Sequence, residues 1–140
     1  MKNMKKILLT SAAILFSFAN FIACKSTQIE VPVEATNREI IQMAQTAYDN
    51  GKTNQALTYY DILLKRYGMD TATYVEGKYE IAHIYVKQKK YNLAKPILEE
   101  ILGIYDSVQP GVLPGSFKKL ASNDYAKITS ALQNAENQNK

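Results

Sequence analysis

Apolar positions along the chain follow two different patterns. Residues 7–23 form one uncharged stretch, whereas from residue 37 onward apolar positions recur every three or four residues, as on an amphipathic helix. The second pattern is broken at Asn50 and Gly51, at Gly68, and between Asp106 and Gly115, where turn-forming residues cluster. The sequence therefore predicts an all-α domain at residues 37–136, behind an N-terminal segment of a different kind.

Five helices are predicted in this domain. The first begins after Thr36, whose hydroxyl and the side chain of Glu39 form a capping-box pattern. Pro96 is placed in the first turn of the fourth helix, where the backbone N–H has no obligatory partner. The other helices are expected at Thr53–Tyr67, from a second capping box at Thr73 and Glu76, at Asn92–Tyr105 and at Ser116–Ala135, before a polar tail at 137–140.

The chain resembles itself when it is shifted by 38 residues. Ala44 then falls on Ala82, and Ala56 falls on Ala94. Small residues of this kind recur where two helices approach closely. The shift also superposes Met43 on Ile81, Tyr60 on Leu98, Leu63 on Ile101 and Gly51 on Lys89. We interpret this as two copies of a helix–turn–helix unit; the alternative is an ordinary helical bundle with accidental self-similarity.

These residues resemble the tetratricopeptide repeat (TPR), a helix–turn–helix of 34 residues. The copies cover about 37–68 and 75–106, and the family's small residues correspond to Ala44 and Ala82 and to Ala56 and Ala94. Its second-helix aromatic corresponds to Tyr60, but its tryptophan and terminal proline have no counterpart. The resemblance implies two TPR-like antiparallel helix pairs in a right-handed superhelix, closed by a C-terminal capping helix at 116–135.

The resemblance also implies a partner-binding surface, because the first helix of each pair lines the concave side in this family. A mixture of aromatic and polar groups suits an extended peptide or a helix. The positions that would be exposed there are Arg38, Ile41, Gln45, Tyr48 and Asp49 in the first copy, and Glu76, Tyr79, His83, Val86 and Lys87 in the second.

Two helix pairs leave their outer surfaces bare. The fifth helix is expected to cover the second pair with Phe117, Leu120, Tyr125, Ile128 and Leu132. The outer face of the first pair requires either Ile29, Val31 and Val33 from the preceding segment or another protein.

The N-terminal segment has the order of a secretory signal, with Lys2, Lys5 and Lys6 ahead of the apolar run. Residues 21–24, FIAC, resemble the lipobox of bacterial lipoproteins, although Phe21 stands where leucine is usual. The resemblance implies removal of residues 1–23 and attachment of diacylglyceryl and N-acyl lipid to Cys24, the single cysteine. An uncleaved membrane anchor is the alternative, since 17 uncharged residues are near the lower limit for crossing a bilayer.

Residues 24–36 show no helical period and contain Pro32, so they are predicted to be a lipid-anchored tether. Lys25 follows the cysteine where aspartate would favour retention in the inner membrane. The lipoprotein resemblance therefore points to the bacterial cell envelope, at its outer membrane.

The net charge of +4 does not indicate a nucleic-acid partner. Without residues 1–23, 14 basic residues face 13 acidic ones, so the remaining chain is nearly neutral. Affinity for nucleic acid rises with the number of phosphates that a protein neutralises, and this balance neutralises few.

The sequence contains no recognisable catalytic or metal-binding pattern. His83 is the single histidine and has no partners at ligand spacing. We therefore expect no enzyme, no metal and no cofactor besides the lipid on Cys24. The predicted function is a protein-interaction module, a scaffold or accessory subunit that binds another envelope protein or peptide segment. The alternative is a peptide- or small-molecule-binding component of an envelope transporter.

Overall fold

The computed structural model describes residues 29–138, which form five helices: α1 (Asn37–Asp49), α2 (Thr53–Tyr67), α3 (Thr71–Lys87), α4 (Tyr91–Ser107) and α5 (Gly115–Gln138). No β-strand occurs within 29–138, so the predicted all-α class is confirmed. In the same range, no helix combines the length and the apolar character needed to span a bilayer. The predicted signal segment and Cys24 lie outside the described residues.

The start of α1 is fixed by the predicted capping box. The Thr36 hydroxyl accepts a hydrogen bond from the backbone amide of Glu39 at 3.3 Å, and the Glu39 carboxylate accepts one from the amide of Thr36 at 2.7 Å. The bonds from Thr36, that of its backbone amide first, hold the pKa of Glu39 below its usual value. Two amides that the helix leaves unpaired are thereby satisfied.

The predicted capping box at the start of α3 is wrong. Asp70 is the N-cap, and its carboxylate accepts a hydrogen bond from the amide of Ala72 at 3.1 Å. Thr73 is buried inside the helix, where its hydroxyl donates to Asp70 and accepts a bond from the Asn37 side chain at 3.0 Å. Because Asp70 already occupies the cap, Thr73 instead links the start of α3 to the start of α1.

The turn between α1 and α2 has the same backbone geometry as the turn between α3 and α4. Gly51 and Lys89, which the 38-residue shift superposes, both adopt the left-handed conformation, with φ of 73° and 58°. Their amides bind the carbonyls three residues earlier at 2.8 and 3.0 Å. The next residues, Lys52 and Lys90, begin the following helices with φ of −88° and −83°. The sequence repeat is therefore also a repeat of the backbone, although Lys89 adopts a conformation that glycine reaches more easily.

Each helix packs against the next one along the chain, and α3 also contacts α5. The short connections make successive helices antiparallel. Buried side chains form a first core cluster between α1 and α2 and a second between α3, α4 and α5, and Ile84 of α3 belongs to the first. Ile84 thereby joins the two pairs.

Small residues lie where the helices meet. The four alanines that the repeat superposes are all fully buried, as predicted: Ala44, Ala56, Ala82 and Ala94. Gly77 of α3 has the same function against α2, because a β-carbon there would lie 3.0 Å from a methyl of Leu64 and 3.1 Å from a methyl of Leu63. The helix axes can approach closely only because these positions have little or no side chain.

Two predictions about α4 and α5 are corrected. Since α4 begins at Tyr91, Pro96 lies beyond its first turn and removes one internal hydrogen bond. Leu120 is largely exposed, because the inward stripe of α5 passes through its neighbour Ala121 and through Ile128. The expected partners Phe117, Tyr125 and Leu132 are half-buried, and helix α5 extends through residues 137 and 138 of the predicted tail.

The last six residues of the predicted tether belong to the folded domain. Arg66 donates hydrogen bonds to the carbonyls of Pro32 and Val31 at 2.6 and 3.1 Å, and the Tyr67 hydroxyl donates to the carbonyl of Ala35 at 2.7 Å. Val31 packs against the first core cluster, whereas Val33 points into solvent. Val31 therefore covers part of the first pair, and the expected contribution of Val33 is absent.

Candidate functional site: a cleft beside α1 and α3

Four of the ten predicted groove residues line one cleft. Gln45, Tyr48 and Asp49 from α1 face His83 from α3 across a space of about 290 Å³. The antiparallel pairs create this space because α1 and α3 run side by side in the stack. The remaining lining residues are Gln42, Tyr60, Glu80 and Ile84.

Three of the ten positions are not exposed, and their prediction as surface residues is wrong. Ile41, Tyr79 and Val86 retain 4%, 5% and 2% of their exposure. Ile41 contributes to the first core cluster, and Val86 to the second. Their apolar side chains face neighbouring helices because burial removes them from water.

Tyr79 is covered by α5, which the assignment of a concave surface did not take into account. Its ring packs against Phe117, with 5.7 Å between ring centroids, and its hydroxyl donates a hydrogen bond to Asp124 at 3.3 Å. Arg38 and Lys87 are exposed and Glu76 is half-buried, but none of these three lines the cleft.

A polar network joins His83 to α5. Nδ1 of His83 lies 2.6 Å from Oδ2 of Asp124, and the Tyr79 hydroxyl lies 3.2 Å from the same nitrogen. Burial, followed by the negative charge of Asp124, raises the pKa of Tyr79. Sequence analysis missed Asp124, because it follows the predicted polar face of α5 and no motif relates it to a histidine 41 residues earlier.

The cleft has negative charge at its floor. Burial raises the pKa of Glu80, and the neighbouring charge of Glu76 raises it further while His83 lowers it. Burial likewise raises the pKa of Tyr60, and the negative charges of Glu80, Glu76 and Asp49 add to that rise. These carboxylates come from both α1 and α3, so a bound group would experience a negative potential between the two helices.

The arrangement provides recognition groups but no nucleophile. Asp124 can orient the His83 imidazole, yet no serine, threonine or cysteine lines the cleft. Within residues 29–138, no set of three or more histidine, cysteine, aspartate or glutamate side chains is placed to hold a metal ion. Amides, hydroxyls and carboxylates remain, and these groups bind polar atoms of a peptide.

A second cleft of about 270 Å³ lies on the outer side of the first pair. Its lining is largely polar, with Gln55 donating a hydrogen bond to the hydroxyl of Tyr59 at 3.1 Å. This surface can stay in contact with water, so the helix pair does not require an apolar cover there. The lining residues are Gln42, Met43, Thr46, Ala47, Asn50, Lys52, Gln55 and Tyr59.

The chain is similar to an uncharacterized protein of Treponema pallidum (strain Nichols). The two are 33% identical over 108 residues, which cover 76% of this chain and 43% of the relative. The chain thus spans less than half of that relative's length. No family model and no solved structure matches the chain.

Replacing Glu80 should stabilise the fold near neutral pH. Because folding raises the pKa of Glu80, the folded chain binds the proton more tightly than the unfolded chain, so the ionised carboxylate destabilises the fold at higher pH. Glu80→Gln should therefore raise the midpoint of thermal unfolding at about pH 7, and the difference should shrink as the pH approaches the ordinary glutamate value of 4.5. Glu136→Gln, an exposed change on α5, is the control; a lower midpoint for Glu80→Gln would contradict this electrostatic description.

Proposed function

We propose that the chain is a lipid-anchored interaction module of the bacterial cell envelope that binds a peptide segment of another envelope protein in the cleft between α1 and α3. The observation that supports this most strongly is the convergence of Gln45, Tyr48 and Asp49 with His83 around one open space. Scaffold or accessory subunit of a membrane-bound complex is the corresponding biological role.

The repeat architecture is part of the proposal. Two turns with the same left-handed residue and the same hydrogen bonds, 38 residues apart, support two TPR-like units in a right-handed superhelix. In this arrangement α5 is the capping helix, and its cover over Tyr79 narrows the surface left for a partner. The partner-binding surface is therefore the α1 side of the groove together with His83.

The chemistry of the cleft favours a peptide over a small molecule. Its volume of about 290 Å³ lies at the lower end of the range for small-molecule pockets, and Gln42, Gln45 and Tyr48 offer donors and acceptors along one helix. The carboxylates favour a segment that carries a lysine or arginine. The transporter-associated binding component remains the alternative function and has less support from this geometry.

The lipid anchor and the absence of catalysis are also proposed. Support for the anchor is the single cysteine, which follows an apolar segment and precedes the domain by a short connection. Support for a non-enzymatic role is the absence of a nucleophile among the residues that line the cleft.

Substitution of Cys24 tests the anchor. Cys24→Ser removes the thiol that would accept the diacylglyceryl group, so the variant should lose its acyl mass and leave the membrane fraction. Intact-mass spectrometry and fractionation of cells that express the full chain measure both effects. Cleavage and membrane retention of the serine variant would refute lipidation at this residue.

Substitution of Tyr48 tests the cleft. We expect Tyr48→Ala to weaken capture of the partner about tenfold in pull-downs from detergent-solubilised membranes, because aromatic anchors dominate such interfaces. Tyr59→Ala, a change at another half-buried tyrosine on the outer side of the first pair, should leave capture near wild type.

Circular dichroism must show that both tyrosine variants keep their helicity. Equal losses of capture for Tyr48→Ala and Tyr59→Ala would exclude the α1–α3 cleft as the binding site. A small ligand that co-purifies in place of a protein would favour the transporter alternative.

A further inference from the structure

Three large apolar side chains project into solvent from the connections between helices. Met69, between α2 and α3, is 99% exposed; Val33, before α1, is 90% exposed; and Val112, between α4 and α5, is 64% exposed. Isolated apolar residues on a surface are common. These three differ because they share one end of the molecule.

The antiparallel order of the helices places all three connections together. Hydrogen bonds from Asn37 to Thr73 and from Tyr67 to Ala35 join the start of α1, the start of α3 and the end of α2. Because α4 runs antiparallel to α3, its end and the start of α5 lie at the same end of the molecule. We call the connections 29–36, 68–70 and 108–114 the tether end.

The length of chain between Cys24 and the domain limits how far this end can stand from a bilayer. Residues 31–35 are held on α2 by Arg66 and Tyr67, so the connection to Cys24 comprises residues 24–30. Seven residues reach at most about 25 Å when fully extended. A lipid on Cys24 would therefore keep the tether end, and no other part of the domain, next to the membrane.

We propose that the tether end rests on the lipid surface, with Val33, Met69 and Val112 inserted among the headgroups and the upper acyl chains. The proposal rests on the lipid anchor of the proposed function and adds a fixed orientation to it. The helix ends opposite, with the turns at 50–52 and 88–90, would then face away from the membrane.

The charges identify the kind of lipid contact. The tether end contains Glu30, Glu34 and Asp70 and no lysine or arginine. Contact is consequently apolar and needs no anionic lipid, and it should be insensitive to salt. The exposed lysines of the turns, Lys52, Lys87, Lys89 and Lys90, lie at the opposite end.

Two features of the sequence allow a direct test. The chain has no tryptophan, so a single introduced tryptophan reports its own surroundings, and it has one cysteine, so Cys24 can be coupled to a maleimide lipid without enzymatic acylation. We would use the chain from Cys24 onward, which keeps every described residue, on phosphatidylcholine vesicles that contain brominated lipid. The variants are Met69→Trp and Val112→Trp, with Leu93→Trp as the exposed apolar control at the lysine-rich end.

Met69→Trp and Val112→Trp should lose most of their fluorescence to the brominated lipid and shift to shorter wavelength, at both low and high salt. Leu93→Trp should keep the emission that it has without bromine. Equal quenching at all three positions, or stronger quenching at Leu93→Trp, would overturn the proposed orientation. So would emission at Met69→Trp that changes only when a partner protein is added.

The outcome is separable from the test of the lipid anchor. Acyl chains missing from the full-length chain by mass spectrometry would refute the anchor, whereas unquenched tryptophan on the chemically coupled chain would refute only the orientation. Far-UV circular dichroism of the three variants confirms that exposed substitutions have left the helices intact.

Discussion

The close approach of neighbouring helices at small residues is the constraint on which the rest of this structure depends. Ala44, Ala56, Ala82 and Ala94 have no exposed surface, and Gly77 leaves room only for the methyl groups of two leucines. Larger side chains at these points would separate the helices and open gaps around the buried tyrosines and leucines. The two identical turns follow from the same requirement, since each must reverse the chain within three residues so that the helices can meet along their length.

The site and the two ends of the molecule result from this packing. Stacked antiparallel pairs bring α1 beside α3, which opens the cleft, and they place α5 over α3, which withdraws Tyr79 from it and engages His83 with Asp124. The same order directs three apolar connections to the end where the chain leads back to Cys24, and lysine-rich turns to the other. In our account a partner would thus approach a surface whose position relative to the membrane is set by the fold.

Local signals in the sequence predicted the fold well, and contacts between distant residues were beyond them. The helical period, the capping residues and the alanine repeat depend on residues within a few turns of one another, and they predicted the five helices and the buried alanines. The exposure of Ile41, Tyr79 and Val86 depends on how helices stack, and so does the pairing of His83 with Asp124. Family geometry alone therefore misplaced three groove residues. Thr73 was mistaken for a cap because Asp70, three residues earlier, competes for the same amides.

Overpacking one of the superposed alanines tests the close approach of the helices most directly. The measurement is the free energy of unfolding of Ala94→Leu, compared with Ala126→Leu at an exposed site on α5. Both changes have similar effects on helix propensity, so the difference between them reports the space between α3 and α4. The account predicts that Ala94→Leu loses about 1–3 kcal/mol relative to Ala126→Leu. Equal stability of the two variants would contradict it.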